Sequence, residues 1–359
     1  MKNTHFLALE DGEIFYGISR GAPVDMLGEV VFNTGMTGYE EIISDPSYFG
    51  QIVAFSAPEI GNYGCNAADM ESRGLFFSGL LAREINPPSN YTAEESLSEM
   101  LIRHRKPALS QIDTRRLVLH LREHGTKKAF IHASDEIISP KEAVTWALTW
   151  RGLDGYDSAS EVTQKESYVW NPEGEINIVA LDFGIKWNIL RQMAKHGMRV
   201  TVLPAWTEAA KILALKPEGV FFSNGPGDPV GVKGAISTAK NLIGHVPMMG
   251  ICLGHQILAL ACEASCGRLK FGHHGCNHPV KNVLEDSVSI TSQNHNFAVC
   301  PDSLPECLQV THINLNDGTI EGMRHVREPM LCVQFHPEAA PGPNDSVKIF
   351  HEFLKLIGR

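Results

Sequence analysis

From residue 176 onward, short apolar runs alternate with amphipathic stretches, and this alternation restricts the fold more than any other feature of the chain. INIVALDF reads as a strand buried on both faces, Lys186 to His196 as a helix, RVTVLP as a strand, Thr207 to Leu215 as a helix and GVFFSN as a strand. A helix over Lys233 to Ile243, the strand PMMGIC and a helix from Gly254 to about Glu263 continue the winding. Strands joined through helices imply βαβ units, and hence an α/β fold with an open, mostly parallel sheet and flanking helices. HPVKNV, SVSITS, LQVTHINL, TIEGMRH and MLCVQF then read as short strands, before a closing helix near Ser346 to Leu356.

The first 150 residues follow a different rhythm. Runs such as VVFNTGMTGYEEII and IVAFSAPEIGNYG are broken by Gly, Asn, Asp and Pro, which suggests a smaller β-rich α/β domain over residues 1–151. Helices are expected there at Ala93 to Arg105 and, after the cap candidates Asp113 and Thr114, at Thr114 to Glu123. Residues 152–175, GLDGYDSASEVTQKESYVWNPEGE, show no sustained periodicity and read as a linker to a second domain over 176–359. With 359 residues, 43% of them hydrophobic, the chain has the material for two cores.

Charge and hydropathy narrow the function classes. A formal net charge of −10 with no cluster of Lys and Arg disfavours a nucleic-acid partner. No run of about 18 apolar residues occurs, and the opening MKNTHFLALEDGE meets charge too early for a signal peptide, so a cytoplasmic protein with no membrane association is expected. The eight cysteines follow no framework spacing, and seven of them read as structural or incidental thiols.

The exception is Cys252. PMMGICLGHQILALA places it where a buried strand stops and a helix starts, between Gly250 and Gly254. A sharp strand-to-helix turn forces an unusual backbone conformation on its central residue, and neighbours without Cβ allow the turn to close. The helix N-terminus there supplies free N–H groups and partial positive charge, which stabilise a thiolate. MLCVQFHPEA adds a second element, a strand that emits His336 and Glu338 at its carboxyl end, where α/β sheets bind ligands. His336 is positioned to act as base and Glu338 to orient its imidazole. In GVFFSNGPGDPVG, the loop glycines Gly225 and Gly227 leave amides that, with the amide of Leu253, suit an oxyanion.

With these elements in place, residues 176 to 359 resemble the class I, triad-type glutamine amidotransferases, whose pattern is a Cys between glycines followed by a distant His-x-Glu. LEDGEIFYG, GEVVFNTGMTGYEEIISDPSYFGQIV and IGNYG, with LDFGIKWNILR, SNGPGDP, KFGHHGCNHPV, SQNHNFAV and HPEAAPGP, are similar to the small-subunit family of carbamoyl phosphate synthetase. That resemblance implies a glutamine-hydrolysing enzyme with Cys252, His336 and Glu338 as its triad. It implies that L-glutamine is held by Ser47, Gly225, Gly227, Leu253, Gln256, Asn294, Asn296 and Phe297. Asn296 stands where the family shows Gly, and asparagine tolerates a left-handed backbone better than other side chains.

The resemblance also implies a glutamyl thioester and release of ammonia to a large subunit. That subunit uses ATP with Mg, bicarbonate and ammonia to make carbamoyl phosphate for arginine and pyrimidine synthesis. The complex would be a heterodimer or a higher oligomer, with His295 at a tunnel entrance or subunit contact. No cofactor is expected in this chain, which lacks a G-x-x-x-x-G-K-[ST] or G-x-G-x-x-G signature. FGHHGCNH packs its ligand types too closely for a structural zinc site, so no metal is expected either. The competing readings are a non-catalytic scaffold subunit and a cysteine hydrolase acting on another amide.

Overall fold

Buried residues in the computed structural model, which describes residues 5–359, separate into two units. One comprises the chain to Leu153 together with Lys270–His274; the other holds Asp154–Leu269 and Gly275–Arg359.

In the first unit seven strands close into a barrel. Its order is His5–Leu9, Ile14–Ser19, Ala108–Ser110, Gly79–Leu81, Gln51–Phe55, Met26–Asn33 and Lys127–His132, which returns to His5–Leu9. Alternation sets what each face buries. Leu7, Leu9, Val30, Phe32, Ile52, Ala54, Ala129 and Ile131 pack in one cluster, whereas the intervening Val31 and Val53 pack with Tyr39, Ile42 and Tyr48 in another. The helix Thr114–His124 begins where the sequence predicts, with the Asp113 side chain accepting from the Arg116 amide at 3.0 Å. The helix expected over 93–105 is shorter, Leu97–Arg103, because Ser96 and Glu99 form a capping box that fixes its start. Ser139 and Glu142 make a second capping box, which opens a further helix, Pro140–Thr149.

The second unit is a ten-stranded sheet. Its centre is five parallel strands in the order Met198–Pro204, Ile176–Asp182, Gly219–Phe222, Met248–Ile251 and Met330–Val333. Antiparallel partners extend it on both sides. The apolar runs are continuous because both faces are covered: Ile178 and Ala180 join one core, Val179 and Leu181 the other. The helices Trp187–Lys195 and Ile349–Leu356 cover the first face, and Lys233–Leu242 and Leu253–Ala261 the second. Residues 152–175 are more structured than a linker. They contain a short helix, Ala159–Val162, and the strand Tyr168–Trp170, which pairs antiparallel with Met198–Pro204 at the sheet edge. Three residues are too few to register as a period, so the strand leaves no mark on the pattern.

Candidate active site

Parallel strands end on the same side of a sheet, so four chain segments arrive together at the carboxyl edge of this one. Ile176–Asp182 leads to Lys186, Gly219–Phe222 to the Ser223–Asp228 loop, Met248–Ile251 to Cys252, and Met330–Val333 to His336 and Glu338. The first of these turns is organised by Asp182, whose Oδ1 accepts from the amides of Gly184 (2.9 Å) and Ile185 (2.8 Å).

Cys252 caps the helix Leu253–Ala261 with φ 54° and ψ −105°, a strained backbone for a residue with a side chain. Its amide donates to Val333 O at 2.9 Å, and that of Gly254 donates to Ser223 O at 3.0 Å, tying the turn to both flanking strand ends. Such closeness requires the glycines. A Cβ on Gly254 would lie 2.0 Å from Phe222 O, and one on Gly250 would lie 2.7 Å from the Gly254 backbone. The buried thiol donates to Asn294 O at 3.5 Å.

His336 and Glu338 are both buried, with Nδ1 of the ring 2.6 Å from Oε1 of the carboxylate. The opposite nitrogen, Nε2, is buried and makes no hydrogen bond of full geometry among the described residues, while the Cys252 side chain is close enough to act on the ring through both charge and hydrogen bonding. Burial alone would discharge His336, but Glu338 and then Cys252 outweigh it and push its pKa up to about 10. Burial also opposes the charge on Glu338; Lys186 and His336 outweigh that and bring the carboxyl down to about 2. Lys186 is a site residue that sequence patterns did not single out. Its Nζ donates to Glu338 Oε1 at 3.0 Å and to Ala339 O at 2.6 Å, with the side chain 3% exposed.

The segment QNHNF lies in the strand Ser287–Val299 and is buried throughout. A polar network fixes it: Glu321 accepts from Gln293 Nε2 (2.9 Å) and Asn314 Nδ2 (2.8 Å), and Gln256 Nε2 donates to Phe297 O (2.8 Å) and Gln334 Oε1 (2.9 Å). His295 is buried, with Phe297 O 2.7 Å from Nδ1 and Gln293 Oε1 3.0 Å from Nε2. Asn296 is absent from the residues with positive φ, so extended backbone, rather than left-handed tolerance, accommodates a side chain there.

In the Gly-Pro-Gly loop, a Cβ on Gly225 would lie 2.2 Å from Phe183 O, and Gly227 has φ 86°. Both positions therefore call for glycine. Ser47 belongs to the first unit, buried in the turn Pro46–Tyr48 with its amide donating to Asp45 Oδ1 at 2.8 Å.

A parallel sheet that presents a strained cysteine and a buried His–Glu pair from adjacent strand ends defines the class of the protein. The family model "Glutamine amidotransferase class-I" matches residues 179–356, and "Carbamoyl-phosphate synthase small chain, CPSase domain" matches residues 7–131. The carbamoyl phosphate synthase small chain of Chlorobaculum tepidum is 47% identical over 358 residues, covering 98% of this chain and 97% of the relative. That of Acinetobacter baylyi is 45% identical, covering 99% of each chain, and that of Salmonella typhimurium is 46% identical, covering 99% and 98%. The chain is a class-I glutamine amidotransferase. More narrowly, it belongs to the family of carbamoyl phosphate synthase small chains.

Proposed function

We propose that Cys252, His336 and Glu338 carry out the glutamine hydrolysis of a glutamine-dependent carbamoyl phosphate synthase. The observation that carries this reading is the buried His336 ring, with Nδ1 on Glu338 and Cys252 as the side chain that acts on it besides Glu338. A ring held charged by Glu338 stores the proton that the leaving group needs. The Cys252 sulfur attacks the carboxamide carbon of L-glutamine, His336 protonates the departing nitrogen, and ammonia leaves a glutamyl thioester. His336 then takes a proton from water, hydroxide adds to the thioester carbon, and glutamate departs as the sulfur is regenerated.

The oxyanion of each tetrahedral intermediate is assigned to the amides of Leu253 and of the Gly225–Gly227 loop, each such donor contributing roughly 10²- to 10³-fold in rate. Ser47, Gln256, Asn294, Asn296 and Phe297 are assigned to binding the substrate. The hydrogen bonds of Gln256 to Phe297 and Gln334 support a shaping role, in which it fixes the wall of the site. Ammonia released by this chemistry is protonated in bulk water, so its acceptor must lie on a bound partner. The reading assigns that role to a large subunit using ATP with Mg, and places the complex in the cytoplasm. Among the described residues no helix is long and apolar enough to cross a membrane.

The test is glutamate release by the chain alone, by the chain with its large subunit, and by Cys252→Ser in the same complex. Loss of release in the variant complex, with labelling of Cys252 by an electrophilic glutamine analogue, is the expected result. Unchanged release by Cys252→Ser overturns the assignment.

A further inference from the structure

The helix that begins at Cys252 ends at a second cysteine, Cys262, which caps its carboxyl end. There the Cys262 sulfur, the Cys307 sulfur and a ring nitrogen of His325 all lie within 4.8 Å of one another. The three come from separate places in the second unit: the end of the helix, the residue before the strand Leu308–Asn314, and the end of the strand Ile320–His325. The backbone holds two of them together, since the Val326 amide donates to Cys307 O at 2.9 Å. Cys262 is buried, whereas Cys307 and His325 are partly exposed.

Two thiols and an imidazole are the ligand types of a zinc site, and the tautomer of His325 decides against one. Nδ1 accepts from the amides of Arg327 (3.2 Å) and Glu328 (2.9 Å), so the neutral ring carries its proton on Nε2. A metal-binding histidine needs the reverse arrangement, with one lone pair free and the other nitrogen donating to an acceptor. Here one lone pair is spent on amides and the other nitrogen is protonated. What remains is two thiols side by side, one buried and one partly exposed.

We propose that Cys262 and Cys307 form an oxidisable dithiol, a modification site that reacts with low-molecular-weight disulfides. Cys307, the more exposed sulfur, attacks one sulfur of the disulfide as its thiolate and releases one small thiol, leaving a mixed disulfide on the protein. Cys262 then loses its proton and attacks the Cys307 sulfur, and the second small thiol departs with that proton. Two protein thiols are oxidised by two electrons, and one small disulfide is reduced to two thiols. Burial, with Cys307 second, pushes the Cys262 thiol up to about 12, which suits it to the resolving role rather than the attacking one. The product ties the end of the helix that starts at Cys252 to the connection that follows the strand bearing Asn294 and Phe297.

The experiment is peptide mapping of the full chain after treatment with oxidised glutathione and alkylation of the remaining thiols. It is paired with titration by a phenylarsenical, which bridges two neighbouring thiols. The expected result is a peptide linking Cys262 to Cys307 and a 1:1 arsenical adduct, both lost in Cys307→Ser. Should Cys307→Ser fail to fold, alkylation of the unaltered chain with the arsenical bound, followed by its release and peptide mapping, identifies the two bridged thiols, and protection of any pair other than Cys262 and Cys307 overturns the proposal. Alkylation of both residues after oxidation, linkage of Cys262 to a cysteine other than Cys307, or stoichiometric zinc in the purified chain that Cys307→Ser abolishes would each overturn the proposal. None of these readings depends on glutamine hydrolysis.

Discussion

Lys186 and Glu338, separated by 152 positions in sequence, form an ion pair of 3.0 Å in which the side chains are 3% and 0% exposed. Removing Lys186 leaves buried Glu338 with the His336 ring as its remaining counter-charge, so the cost falls at or below the low end of the about 3–5 kcal/mol of a fully broken buried pair. Lys186→Met should therefore lower the unfolding free energy by roughly that amount. Combining it with Glu338→Gln should restore much of the loss, because neither charge then remains. Denaturant unfolding of the two single variants and the double variant completes the cycle. Additive losses would show that the pair is not coupled.

The pH dependence of stability follows from the same group. Glu338 is lowered from 4.5 to about 2, so its contribution is present above pH 4.5 and is lost as pH falls through about 2. His336 is raised from 6.5 to about 10, so its contribution is present below pH 6.5 and is lost as pH rises through about 10. The pair contributes most between about pH 4.5 and 6.5. Urea midpoints should decline for the unaltered chain from pH 6.5 toward 10, and Glu338→Gln should flatten that decline.

Glu40 predicts a second, independent slope. This buried carboxylate accepts from the Asn66 amide at 3.0 Å, yet burial, followed by the neighbouring Asp69, Glu41 and Glu95, pushes its pKa up to about 8. The folded chain binds its proton more tightly than the unfolded chain does, so stability falls as pH rises from 4.5 to about 8. Glu40→Gln should remove that fall and raise the thermal midpoint at alkaline pH. A variant that loses stability equally at every pH would refute this origin.

Two glycines offer a paired test of close packing. Gly254→Ala places a methyl 2.0 Å from Phe222 O, backbone that no rotamer change can move, and should abolish both correct folding at the turn and glutamate release. Gly234, inside the helix Lys233–Leu242, has nothing within 4 Å of the same position. Gly234→Ala should stabilise the chain by about 0.5–1 kcal/mol through helix propensity. Comparable melting shifts in the two variants would contradict the geometry.

Cys252, His336 and Glu338 were legible because each sits in a local pattern: a strand end, a glycine turn, a two-residue spacing. Lys186 was not, since a lysine preceding an amphipathic helix reads as an ordinary solvated charge, and only the fold brings Glu338 beside it. The same holds for Glu321, Gln293 and Gln334, whose hydrogen bonds span tens of residues. Barrel closure was equally hidden, because the pairing of His5–Leu9 with Lys127–His132 depends on register across more than a hundred positions. Central strands of the second unit were the easiest to read, as burial on both faces leaves unbroken apolar runs. The edge strand Tyr168–Trp170, with little to bury, left none.

The membership of residues 270–274 in the first unit has a genetic corollary. Thr126 donates its amide to Lys270 O at 3.1 Å and Thr34 its amide to His274 O at 3.2 Å, although all the other residues of that unit precede position 154. A fragment ended at 153 would lose both acceptors, and the remainder would carry five stranded residues that belong elsewhere. Neither half can be cut out at position 153 without leaving part of itself behind, since the interval 270–274 would travel with the wrong fragment.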